Sequence, residues 1–115
     1  MIEVDHRAQS LLLDPAGPIG NGGNSGFQAL NIAVRCGANR IVLVGYDFTL
    51  GADVHWHGPH VGGLKNPTAD SLAEWAATID AQAPLLRSLG VDVINTSPTT
   101  ALRAFPIAPL SSALQ

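Results

Sequence analysis

Asn24-Ser25-Gly26-Phe27-Gln28-Ala29-Leu30-Asn31-Ile32-Ala33-Val34-Arg35-Cys36-Gly37, and after Ala38 and Asn39 the run Arg40-Ile41-Val42-Leu43-Val44-Gly45-Tyr46-Asp47-Phe48, is the stretch on which the fold turns. Asn24 or Ser25 suits the N-cap of a helix, because a short polar side chain can accept from the first free N–H groups. Phe27, Leu30 and Val34 fall on one face, and Ala29, Ile32, Ala33 and Cys36 fill much of the rest. A helix apolar nearly all round is expected to be buried. Gly37 fits its C-terminus. Ile41 to Val44 is a continuous apolar run, the pattern of a central parallel strand covered on both faces. Gly45, Tyr46 and Asp47 then lie at the strand's carboxyl end, where open α/β sheets bind their ligands.

N-terminal to this unit, residues 1–10 carry no pattern. Leu11-Leu12-Leu13 reads as a short strand turned by Asp14-Pro15. Gly17, Pro18, Gly20, Gly22 and Gly23 make an irregular loop before the helix. C-terminal to it, Thr49 to Asn66 has no clear period and contains His55-Trp56-His57-Gly58-Pro59-His60. Pro67-Thr68-Ala69-Asp70 opens a second helix, with Leu72, Trp75, Ile79, Ala83 and Leu86 at helical spacing. Pro84 should interrupt it near residues 80–83. Gly90 ends it, Val91 to Asn95 is a strand, and Ser97-Pro98 has the cap-then-proline pattern of a last short helix through Phe105. The tail from 107 to 115 reads as loose. The alternation of strands and helices predicts a single α/β domain over 1–115, with a parallel sheet and right-handed crossovers.

Composition narrows the partners. Of the 115 residues, 46% are hydrophobic and only 13% are charged, about half the usual charged share. A small sheet with so few charges leaves apolar surface uncovered, so self-association or a covering chain is expected. Apolar residues such as Leu11 to Leu13, or the helix carrying Leu72, Trp75 and Ile79, are the expected interface. The net charge of −3 and the scattered Arg7, Arg35, Arg40, Lys65, Arg87 and Arg103 argue against nucleic acid. Cys36 is the lone cysteine, so no intrachain disulfide forms; within an apolar helix it reads as a small core residue. No run reaches the length of a membrane span and no signal peptide opens the chain, so the cytoplasm is the expected location.

Four loops carry the polar chemistry. Asn24-Ser25-Gly26 at a helix start can bind phosphate or carboxylate, or it can be a plain cap. It is not the dinucleotide fingerprint, because Gly20-Asn21-Gly22-Gly23 lacks the third glycine in register. Asp47, with Tyr46 and Gly45, can hold a ribose hydroxyl, a metal or a catalytic His, or can cap a loop. His55, His57 and His60 match no standard zinc motif; one of them as general base needs less geometry, and all three can simply tie down the loop. Asn95, Thr96, Ser97, Pro98, Thr99 and Thr100 form another small polar turn after the last strand. All four follow or face strand carboxyl ends, which predicts one cleft.

Asn24-Ser25-Gly26, eighteen residues, then Gly45-Tyr46-Asp47-Phe48 resembles the bacterial sialyltransferases that use CMP-sialic acid. An intervening glycine matches Gly37. His60, Lys65-Asn66 and the run Ser97-Pro98-Thr99-Thr100-Ala101-Leu102-Arg103-Ala104-Phe105 are similar to the C-terminal half of those enzymes. Residues 19–106 carry the similarity, which phage-encoded proteins and hydroxymethylpterin diphosphokinase-like proteins share. The resemblance implies a Rossmann-like three-layer αβα fold and a nucleotide or nucleotide-sugar ligand. Asn24, Ser25 and Gly26 would lie at the nucleotide, Gly45, Tyr46 and Asp47 at its ribose side, and Asn95 and Ser97 along the same sheet edge. His60, or His57, would be the base that deprotonates the acceptor hydroxyl. No metal or other cofactor is implied. The family's N-terminal strand and Gly-Asn-Gly-Pro-Ser type loop have no match here, nor do its leaving-phosphate tyrosines, since Tyr46 is the only tyrosine. A non-catalytic phage or mobile-element assembly domain of the same fold is the alternative, and a metal-dependent hydrolase on the three histidines a third.

Overall fold

The computed structural model describes residues 2–49 and 68–114. The elements run β1 (Val4–Asp5), β2 (Ile19–Gly20), α1 (Ser25–Arg35), β3 (Arg40–Leu43), α2 (Ala69–Asp80), α3 (Ala83–Ser88), β4 (Asp92–Asn95) and α4 (Leu110–Ala113). The chain is α/β, with short parallel sheets. β1 pairs with β2, Val4 opposite Ile19. β3 pairs with β4 from Arg40↔Asp92 to Leu43↔Asn95. A parallel bridge from Asn95 to Ile107 adds a third line of backbone beside β4.

Local chemistry explains the helices. Asn24 is extended and its Oδ1 accepts from Phe27 N–H at 2.9 Å, so the cap is Asn24 itself. Gly37 leaves α1 at φ 89°, a conformation that strains any residue with a Cβ. Thr68 caps α2 by accepting from Ser71 N–H at 3.0 Å. Pro84 has no N–H to give, and the helical run breaks as expected: α2 stops at Asp80 and α3 starts at Ala83.

Phe27 and Leu30 of α1, Leu72, Ala76 and Ile79 of α2, Leu86 of α3, Leu43 of β3 and Val93 of β4 are all buried. Leu11, Leu102 and Phe105 join this core from outside the regular elements. Full burial of side chains this size contributes about 1.5–3 kcal/mol each, as an upper estimate. Of the residues expected at an interface, Leu11, Leu72 and Ile79 are buried in this core, Leu12 and Trp75 are half-buried and Leu13 is exposed. α1 is buried on one side only: Ala29 and Cys36 are exposed, and the expectation of all-round burial does not hold. β3 departs similarly, with Leu43 buried, Ile41 and Val42 half-buried and Val44 60% exposed.

Three further expectations are corrected. Leu11 to Leu13 is not a strand, because side-chain amides take its backbone groups. Leu11 N–H donates to Gln82 Oε1 at 3.1 Å, Leu12 N–H to Asn31 Oδ1 at 3.1 Å, and Leu12 C=O accepts from Asn31 Nδ2 at 3.0 Å. Residues 98–105 are not a helix; the Asp80 carboxylate accepts from Arg103 N–H at 3.0 Å and Ala104 N–H at 3.0 Å, fixing a non-helical turn. The tail is not loose at Ile107 to Ala113. Asn95 N–H donates to Pro106 C=O at 2.8 Å, Ala108 N–H donates to Asn95 C=O at 3.1 Å, and Ala113 is buried. Ahead of α1, the stretch without a sequence pattern supplies β1, and the glycine loop contains β2 at Ile19–Gly20. Among the described residues no helix is long and apolar enough to cross a membrane.

Candidate functional site

The carboxyl end of β3 is built around Tyr46. Its hydroxyl donates to Gly26 C=O at 2.9 Å, tying this loop to the start of α1. Its N–H donates to Ser97 Oγ at 2.8 Å, and its C=O accepts from Thr100 Oγ1 at 2.7 Å. Thr100 in turn accepts from Asn95 Nδ2 at 3.1 Å, while Asn95 Oδ1 accepts from Ser97 N–H at 3.0 Å. Ala101 N–H donates to Asp47 C=O at 2.7 Å. One network therefore joins the loops after β3 and β4 to the N-terminus of α1.

The turn that aims Tyr46 depends on backbone that few residues adopt. Gly45 sits at φ 77°, and a Cβ there would meet nothing within 4 Å, so conformation and not space calls for glycine. Phe48 holds φ 53° and packs its ring edge-on to Tyr46, centroids 5.9 Å apart. Burial pushes the Tyr46 phenol above its ordinary value, since the phenolate would be poorly solvated.

At α1, Asn24 Oδ1 takes Phe27 N–H and Asn24 C=O takes Gln28 N–H, the latter at 3.4 Å. Among the described residues nothing accepts from Ser25 N–H or Gly26 N–H, the remaining donors of the first turn, and Ser25 is exposed. The glycines before them serve packing. A Cβ on Gly22 would come within 2.0 Å of the Phe27 ring, and one on Gly23 within 2.6 Å of the Trp75 indole nitrogen.

The sequence candidates thus divide. Asn24, Tyr46, Asn95 and Ser97 are brought together, with their polar atoms engaged in internal hydrogen bonds. Gly26 is in contact with Tyr46, Gly45 shapes the turn, and Ser25 and Asp47 remain exposed. His55, His57 and His60 lie outside the described residues, as do Lys65 and Asn66. Among the described residues no group of three metal-ligating side chains gathers. Thr100, which holds Tyr46 C=O, has a role that the sequence signalled only as one more small polar residue in a turn.

Beside this network an open groove of about 630 Å³ runs along the carboxyl ends of β3 and β4. Val44, Pro98, Ile107, Pro109 and Leu110 give it an apolar lining, with Ser97 at its floor. Comparison with family models, with curated proteins and with solved structures finds no match for this chain.

Proposed function

We propose that the chain is a glycosyltransferase-like domain of Rossmann-like three-layer form that binds a nucleotide or nucleotide-sugar. The observation that carries this reading is the hydrogen bond from Tyr46 to Gly26. It joins a helix start with two N–H donors unused among the described residues to a strand end with an exposed carboxylate, Asp47. N–H donors and the helix dipole suit a phosphate, and a carboxylate suits ribose hydroxyls. In the reading that the sialyltransferase resemblance supports, His60, or His57, takes the proton of an acceptor hydroxyl. That oxygen then bonds to the anomeric carbon as the bond to the nucleoside monophosphate breaks. The expected setting is the cytoplasm, and a second chain would supply the nucleotide loop that the resemblance lacks.

The test is an NMR titration with CMP. Ser25, Gly26 and Asp47 amides are expected to shift at millimolar nucleotide, with the groove residue Ile107 unmoved. No shift at those amides would overturn the reading. The second reading, a non-catalytic phage or mobile-element assembly domain, is favoured by the internal use of Asn24, Tyr46, Asn95 and Ser97 and by the apolar groove beside them.

A further inference from the structure

We infer that the groove between the end of β3 and α4 is a self-association surface, whose occupant is Leu114 and the adjoining apolar strip of a second copy of this chain. Three observations converge on that occupant. The first is shape. Val44 (60% exposed), Ile107 (64%) and Leu110 line the hollow. Leu114 follows Leu110 by four residues, with its N–H on Leu110 C=O at 3.2 Å, so both side chains lie on one face of the same helical turn. Leu114 is 69% exposed and continues the strip beyond the groove. One patch thus carries both a hollow and a knob, which a two-fold contact requires, because each copy inserts its knob into the other's hollow.

The second is charge. Each chain is −3 overall, so two copies repel across most contacts. No charged residue occurs from Ala104 to Gln115, and none lines the groove. Contact through this face sets no like charges opposite one another. The same lack of cations makes the groove a poor site for phosphate, so it is not a second nucleotide pocket.

The third is backbone. Ile107 is bridged to Asn95 on one side, and Pro106 and Pro109 flank it. Proline has no N–H to offer an added strand, so this edge resists β-augmentation and selects side-chain packing instead. Gly45 and Ser97 at the edge of the groove are shared with the nucleotide reading, but Leu114, Ile107 and Leu110, which carry the inference, are not, so the two are tested at different residues.

Sedimentation and light scattering of the full chain from micromolar to about 100 μM decide the matter by mass action. The expected result is a concentration-dependent species of twice the 11.9 kDa monomer mass. Leu114→Asp and Ile107→Asp should each raise the dimer dissociation constant about 30-fold or more, as for a central apolar anchor. Leu89→Asp, at a leucine 45% exposed after α3, should leave it unchanged. Circular dichroism confirms that each variant stays folded, which the exposure of all three positions favours. A wild-type chain that stays monomeric across the range overturns the inference. So does a dimer that survives Leu114→Asp and Ile107→Asp, or one that Leu89→Asp weakens as much; either places the contact elsewhere.

Discussion

The β1/β2 pair and the β3/β4 pair are both parallel, yet they hold their backbones by different means. β3 and β4 share four residue pairs, and the ladder continues past its end as Thr96 N–H donates to Leu43 C=O at 2.9 Å. β1 and β2 share two pairs. The segment between them is secured by two buried side chains. Asn31 on α1 serves Leu12 on both sides of its backbone and also accepts from Gly20 N–H at 2.8 Å. Gln82, between α2 and α3, accepts from Leu11 N–H and donates to Gln9 C=O at 3.3 Å. A backbone ladder spreads its hydrogen bonds over many residues, so one side chain can be lost cheaply. A side-chain clamp concentrates them, so one substitution strips several backbone groups at once.

Asn31→Leu should therefore have the largest effect. Asn31 is fully buried, and an isosteric leucine leaves Leu12 N–H, Leu12 C=O and Gly20 N–H without their partner. At about 1–3 kcal/mol for each buried group left unsatisfied, a loss of about 3 kcal/mol or more is expected. That is a large part of the ~5–15 kcal/mol typical of a small domain. The midpoint of urea denaturation reads it directly. A loss below about 1 kcal/mol would show that water replaces the clamp and that the two pairs differ less than their hydrogen bonds suggest.

This contrast also explains what the sequence disclosed. Helix α1 with its Asn24 cap and Gly37 exit, strands β3 and β4, and the break at Pro84 were legible because their causes lie within a few residues of one another. Leu11 to Leu13 misled because the amides that replace a neighbouring strand come from Asn31 and Gln82, which are far off in sequence. Ser97-Pro98 misled for the same reason. Ser97 Oγ accepts from Tyr46 N–H, 51 residues away, and Asp80 claims the Arg103 and Ala104 N–H groups that a helix would have used. Of the four polar loops expected to converge, those at the start of α1 and after β3 and β4 are joined by hydrogen bonds, and the histidine loop lies outside the described residues. That Asn95 and Ser97 would spend their polar atoms on each other, on Thr100 and on Tyr46 was not legible, since a cap, a ligand contact and a tertiary hydrogen bond look alike in sequence.

Thr96→Val sharpens the comparison from the other side. Thr96 Oγ1 donates to Leu43 C=O at 2.7 Å, and Thr96 is as buried as Leu72 and Phe105 of the core. The same carbonyl keeps the bond from Thr96 N–H, so no backbone group is orphaned. Valine retains the branched shape. The expected loss is about 1 kcal/mol or less, well under that of Asn31→Leu in the same denaturation experiment. Equal losses would mean that the ladder gives no protection and that burial alone sets the cost.

The smallest effect belongs to the hydroxyl that links the two halves, and it is best read by pH. Tyr46 donates to Gly26 C=O, a carbonyl at the start of α1, and Tyr46→Phe removes that bond while keeping the ring against Phe48. A loss of about 1 kcal/mol or less is expected near neutral pH. Burial raises the phenol's pKa in the folded chain, so the fold favours the protonated form. The stabilisation tied to that preference is fully present below the unfolded phenol's value of about 10, and it is lost as pH rises through the folded value. Because Tyr46 is the only tyrosine, ultraviolet difference absorbance of the phenolate reports it alone. The native chain should titrate above free tyrosine, and its stability should fall across that alkaline window. Tyr46→Phe should abolish both the absorbance change and this part of the decline. A phenol that titrates at the free value would show that the hydroxyl is solvated and that the bond to α1 does not join the two halves in solution.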